Sequence, residues 1–180
     1  MSPVKTGSET TRLIVLRGNS ASGKSTIAAQ IRDRYGRGIA IVGQDYLRRT
    51  VLREHDKPGA ANIGLIGLVA RYSLDAGYHV IVEGILYETH YGHMLADLLA
   101  DHLGVSHCYY LDVPFEETLV RHATKPQAAE YGQAEMAAWY RGRDLLPGGI
   151  EQVIAADTTA AQAVERIMSD AGLGGLRRSC

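Results

Sequence analysis

The residues Gly18-Asn19-Ser20-Ala21-Ser22-Gly23-Lys24-Ser25 match the pattern G-x-x-x-x-G-K-[ST]. Each fixed position has a physical job. The glycines let the backbone turn so that successive N–H groups point inward and surround phosphate oxygens. A helix starting at Lys24 would add the positive end of its dipole. Lys24 is expected to reach the β- and γ-phosphates of ATP, and the Ser25 hydroxyl to ligate Mg²⁺. Thr26 is a candidate α-phosphate contact. A glycine-rich turn with a chance lysine would look similar in isolation. The position of this one, between a buried strand and a helix, argues for phosphate binding.

Two carboxylates stand where a phosphoryl acceptor would need them. Asp45 lies just past the carboxyl end of a second apolar strand, the edge at which open parallel sheets bind ligands. From there it could orient an acceptor hydroxyl or take its proton. Capping of the helix expected from Tyr46 is the alternative, and the position favours catalysis. Glu83 leaves a third strand on the same edge and could hold Mg²⁺ through water, bind substrate, or pair with a buried cation. Asp112 also ends a strand, but Pro114 two residues on points to a structural helix start.

Arginines supply the third ingredient. Arg121, Lys125, Arg141 and Arg143 cluster in and around a polar, interrupted segment. A guanidinium arriving as such a segment closes would stabilise charge developing on a transferred phosphoryl group. Arg121 and Arg141 are the candidates for contact with the nucleotide. Arg143 and Asp144 could instead pair locally. Arg48, Arg49 and Arg53 follow Asp45 on one helix, and with Tyr46 they either recognise an acceptor or form a solvated face. His90 and His93 are three apart, but no third ligand lies near them, so solvated histidines fit better than a metal site. Trp139 and Tyr140 fit packing of a lid helix better than base stacking.

These groups need elements to hold them. Apolar runs at 13–16, 39–42, 79–84, 105–111 and 153–156 read as strands. Helices are expected over 24–35, 46–54, from a cap at Asn62 to about 75, over 89–102, from Pro114 onward, and over 159–171. Alternating strands and helices argue for a parallel sheet covered on both faces. The segment 125–149 is too long for an ordinary connection and reads as a lid.

With 180 residues, 46% hydrophobic and 22% charged, the chain suits one globular domain. A net charge of −1 provides no basic field for bulk nucleic acid or a membrane surface. No stretch reaches transmembrane length, and residues 1–11 lack a signal peptide's apolar core. Cys108 sits in an apolar run and Cys180 ends the chain. They form no disulfide framework, which suits a reducing cytoplasm.

The segments LIVLRGNSASGKST, IVGQDYLRR, HVIVEGIL and YYLDVPFEETLVRH, with the arginine-bearing stretch before VIAAD, resemble small P-loop kinases. The likeness is to the zeta-toxin and chloramphenicol-phosphotransferase-like group, within the wider nucleoside-monophosphate-kinase-like superfamily. It runs from Leu13 to about Leu173. It implies an α/β/α sandwich whose five parallel strands run in the order 2-3-1-4-5. It also implies that Asp45 orients or deprotonates the acceptor, that Arg121 contacts the nucleotide, and that Arg141 or Arg143 reaches the phosphates. One departure is Glu83, where such kinases often carry Asp at the metal-binding strand end.

The resulting expectation is a flexible tail over 1–11, a P-loop kinase domain over 12–173 with its lid at about 125–149, and a flexible tail over 174–180. The nucleotide would contact Gly18 to Thr26 and Arg121, and Ser25 would hold the metal. The acceptor, a small hydroxylated molecule, would meet Asp45, Tyr46, Arg49 and Glu83, with Lys24, Asp45 and Arg141 catalytic. Two alternatives stand beside it: a kinase for nucleic-acid or tRNA ends, and a partner-regulated ATPase. The sequence names neither the acceptor nor the oligomeric state.

Overall fold

The computed structural model describes residues 4–124 and 126–174. Five strands form one parallel sheet in the order β2-β3-β1-β4-β5. They are β1 (Arg12–Gly18), β2 (Ile39–Gly43), β3 (His79–Gly84), β4 (Val105–Asp112) and β5 (Glu151–Ala155). This is the order that the resemblance implies. Six α-helices connect and flank them: α1 (Lys24–Tyr35), α2 (Ala61–Asp75), α3 (Glu88–Asp101), α4 (Phe115–Ala123), α5 (Gln133–Trp139) and α6 (Ala160–Asp170).

Period-2 alternation along β1 sorts the core into two layers. Ile14 and Leu16 face α1 and α6, meeting Ile27, Ile31, Val164 and Ile167. Leu13 and Val15 face the other way, toward Ile66 and Leu74 of α2 and Leu95 and Leu98 of α3. Each such fully buried aliphatic side chain contributes about 1.5–3 kcal/mol relative to exposure. The central strand therefore holds its carboxyl end, where the glycine loop begins, in a fixed position.

Three expectations need correction. Residues 4–11 are not a loose tail. Thr6 and Thr11 are buried, the Thr6 hydroxyl lies 2.9 Å from Asp75 Oδ1, and Thr6 pairs with His102 in a bridge. The reason is that Thr11 Oγ1 meets His102 Nε2 at 2.9 Å, tying the segment under the sheet's amino edge. Asn62 does not cap α2. Ala60 is the N-cap, and Asn62 is buried in the first turn with its Oδ1 2.9 Å from the Tyr91 hydroxyl. The helix expected over 46–54 is a short π-helical turn, Tyr46–Val51. The tail at 174–180 lies outside the described residues except for Gly174, as do residues 1–3 and Lys125.

The lid contains a 3₁₀ turn (Pro126–Ala129), α5 and a second 3₁₀ turn (Pro147–Gly149). Among the described residues no helix is long and apolar enough to cross a membrane.

Candidate active site

The loop between β1 and α1 owes its shape to backbone freedom at two glycines. Gly18 has φ of 148°, and a Cβ there would lie 2.8 Å from the Leu111 carbonyl oxygen. Gly23, the N-cap of α1, has φ of 105°. Ala21 also adopts a positive φ, 59°, which costs a non-glycine residue about 1 kcal/mol and is typical of a functional turn. The first turn of α1 carries no acidic side chain, so nothing neutralises the positive end of its dipole.

Lys24 is buried and folds back over the loop, donating to Asn19 O at 2.7 Å and Ser22 Oγ at 3.1 Å. Ser25 Oγ donates to Glu83 Oε2 at 3.0 Å. The two residues come from α1 and the end of β3, strands apart in sequence but adjacent in the sheet through the β1–β3 register.

Arg121, at the last turn of α4, donates to Ser22 O at 3.1 Å and to Ala156 O at 3.3 Å, and pairs with Glu117. It lines a cavity of about 450 Å³ together with Ala21, Gly23, Thr26 and Thr124. Asp45 is not among the residues that line this cavity.

Two further cavities are lined by Asp45. One, of about 580 Å³, contains Lys24, Ser25, Tyr46 and Glu83. The second, of about 590 Å³, is bounded by Arg48, Arg53, Asp56, Tyr87, Trp139 and Arg141. Ser20, Asp45, Arg49, Ile85 and Tyr131 belong to both. The two therefore adjoin along one cleft wall, and Asp45 lines both. Asp45 occupies the N-cap position of the π-helical turn but makes no capping hydrogen bond. Its carboxylate is exposed and takes a hydrogen bond from Arg48 at 3.0 Å.

The structure brings Lys24, Ser25, Asp45, Tyr46, Arg49 and Glu83 to one cleft. It treats the lid arginines differently from one another. Arg143 is exposed and pairs with Asp112 at 3.2 Å rather than with its neighbour Asp144. Arg141 reaches the glycine loop only through its backbone. Its N–H donates to Asn19 Oδ1 at 2.8 Å, and its carbonyl accepts from Asn19 Nδ2 at 2.7 Å. Its guanidinium lies 5.4 Å over the Tyr87 ring and donates to Ala138 O and Tyr140 O. His90 pairs with Asp56 at 3.1 Å, and His93 with Asp97. Among the described residues no group of three or more His, Cys, Asp or Glu side chains could hold a metal ion.

Several participants were invisible in the sequence. Tyr131 stacks on His122, meets Trp139 edge-on, and places its hydroxyl 3.3 Å from Ser20 Oγ. Tyr87 donates to Trp139 O at 2.5 Å, and burial raises its pKa so that the phenol keeps the proton it donates. Beneath the loop, the Arg17 side chain is fully buried between Glu151 at 2.8 Å and Asp144 at 2.8 Å, with Nε donating to Leu86 O. Asp144 in turn accepts from the Glu88 N–H at 2.9 Å. Arg17 thus joins β1, β5, the end of the lid and the start of α3. A charge inside an apolar strand was the available signal, since such a residue must be paired.

A family model described as an AAA domain matches residues 13–147. Comparison with the curated proteins finds no match. Solved structures of the same fold include a sugar kinase from Janibacter sp. HTCC2649, 20% identical, with 91% of this chain and 96% of that chain covered at a TM-score of 0.65. The Mycobacterium tuberculosis APS kinase in complex with AMPPNP and APS is 18% identical, with coverages of 92% and 98% and a TM-score of 0.65. A gluconokinase from Sinorhizobium meliloti 1021 is 15% identical, with coverages of 93% and 92% and a TM-score of 0.59. At these identities the likeness is one of fold.

Proposed function

The chain belongs to the AAA domain family, and from that premise we propose that it is an ATP-dependent phosphotransferase whose acceptor is a hydroxyl group of a small molecule. One observation carries the reading. Asp45 lies where the cavity over Lys24 and Ser25 meets the cavity walled by Tyr87, Trp139 and Arg141. An acceptor in the second cavity can present a hydroxyl to a phosphate in the first, with a carboxylate beside the transferred proton.

ATP would lay its phosphates in the glycine loop against the amino end of α1, with the adenosine toward Arg121. Lys24 would exchange its contacts within the loop for the β- and γ-phosphate oxygens. The acceptor oxygen attacks the γ-phosphorus as the bond to the β-bridging oxygen breaks, and the hydroxyl proton passes to Asp45. Ser25 and Glu83 offer the oxygen donors that suit Mg²⁺, and the remaining ligands would be phosphate oxygens and water. Bound there, the ion would neutralise charge on the β- and γ-oxygens. Catalysis of this kind is chiefly positioning and electrostatics, so a rigid cleft with few chemical groups suffices.

The motif resemblance to zeta-toxin and chloramphenicol-phosphotransferase-like kinases supports the same reading, as does the fold shared with a sugar kinase, an APS kinase and a gluconokinase. The test separates binding from chemistry. Lys24→Ala should weaken ATP binding, measured by calorimetry, and lower turnover by on the order of 10²–10³-fold. Asp45→Asn should bind ATP normally and lower kcat by on the order of 10²-fold or more. Full activity in Asp45→Asn would remove the carboxylate from the reaction.

A further inference from the structure

The cavity beyond Asp45 has an uneven charge inventory. Its carboxylates are committed to protein donors. Asp56 accepts from Gln44 Nε2 at 3.0 Å and lies 2.9 Å from the Tyr91 hydroxyl and 3.1 Å from His90 Nδ1. Glu54 accepts from the Asn62 N–H at 3.1 Å. The guanidinium groups are not matched in return. Arg49 lies over the Tyr131 ring, 5.9 Å from its centroid, and its carboxylate neighbour is Glu130 at 3.9 Å, beyond hydrogen-bond range. Arg141 donates to backbone carbonyls alone. Among the described residues Arg53 makes no hydrogen bond or ion pair, and it holds a left-handed φ of 52° beside the cavity. Arg48 is paired with Asp45, yet its Nε is buried without a partner.

Arg49, Arg53 and Arg141 are exposed along the cavity lining with no carboxylate of the described residues within hydrogen-bond range, and a guanidinium fork fits an oxyanion bidentately. A neutral sugar or antibiotic would leave this concentration of positive charge without a counter-charge. Resting on the phosphotransferase reading above, we infer that the acceptor itself carries an oxyanion group, such as a phosphate or a carboxylate, bound by Arg49, Arg53 and Arg141. The rings of Tyr87, Tyr131 and Trp139 wall the same space and suit a flat or apolar body attached to that group.

Trp139 is the chain's single tryptophan and lines this cavity, so its emission reports occupancy. The donor side is first saturated with AMPPNP and Mg²⁺. Matched probes are then titrated: uridine against uridine 5′-monophosphate, and glucose against glucose 6-phosphate. At least one charged probe should bind about tenfold or more tightly than its uncharged parent, and which one does so separates a nucleotide from a sugar phosphate. In an Arg49→Ala/Arg53→Ala variant that preference should fall to about threefold or less, with AMPPNP binding intact as the check on folding. Equal binding of charged and uncharged probes, or a preference that survives in the double variant, overturns the inference. So does a single-stranded oligonucleotide that quenches at lower concentration than either phosphate probe, since it assigns the arginines to a nucleic-acid end. Replacing AMPPNP with ATP keeps the two proposals apart. Charge preference without phosphate transfer leaves this inference and defeats the phosphotransferase; transfer only to uncharged acceptors does the reverse.

Discussion

Asn19 occupies one of the variable positions of the glycine loop, yet its side chain behaves like a piece of backbone. It gives and takes one hydrogen bond each with the main chain of Arg141, and it is buried. The Tyr110 hydroxyl lies 3.4 Å from its Nδ2, and burial raises the Tyr110 pKa, so that contact stays neutral. This fixes the segment carrying Arg141 to the loop that would carry the nucleotide. Asn19→Ala should therefore raise the acceptor KM by roughly tenfold, the worth of two net hydrogen bonds, with little change in nucleotide affinity. Asn19→Asp keeps the acceptor for the Arg141 N–H and should fall between. A rise in the nucleotide KM with the acceptor KM unchanged would make Asn19 a part of the nucleotide site alone. Glu83 makes a second prediction at this scale. Glu83→Gln should raise the Mg²⁺ concentration needed for half-maximal activity, because a neutral amide attracts the ion less. An unchanged Mg²⁺ titration would leave Glu83 with a substrate role.

At the level of elements, the parts readable in advance were those with a local signature. The glycine loop is contiguous, and Asp45 and Glu83 end apolar strands, so strand geometry alone assigned them to one edge. The lid was legible as a long irregular segment, but not its contacts, because those depend on which face of α5 turns inward. Asn62 misled because a polar residue before an apolar helical run usually caps it. Here Tyr91, from α3, satisfies its carbonyl from inside. The amino-terminal segment misled because its residues are polar, and their partner His102 lies far along the chain. That anchor carries a pH dependence. Burial, with help from Arg12, lowers the pKa of His102 below its ordinary 6.5. The folded state then binds protons less readily than the unfolded one, so stability is full above 6.5 and is lost as pH falls through the depressed value. Hydrogen-exchange protection of Thr6 and Leu103, whose amides close this anchor, should fall below that point. A His102→Gln variant should lose the dependence.

For the whole molecule, Arg17 is the hub whose removal reaches furthest. Its fully buried side chain neutralises Glu151 and Asp144, which would otherwise be two carboxylates in or near the core. Breaking a buried pair from one side leaves charge without compensation, so Arg17→Ala should cost about 3–5 kcal/mol in urea unfolding. A loss below about 1 kcal/mol would mean that water reaches these carboxylates. The same hub explains how a sheet edge, a lid and an acceptor wall are held in register around a cleft whose own residues are mostly exposed. In the proposed function this cleft passes a phosphoryl group from ATP to a small hydroxylated molecule. The direct test incubates the protein with ATP, Mg²⁺ and a panel of charged and uncharged hydroxyl compounds, and follows each by mass spectrometry. One compound should gain a single phosphate as ATP becomes ADP, and Asp45→Asn should slow that gain by on the order of 10²-fold or more. ATP consumed with no compound gaining phosphate would contradict it.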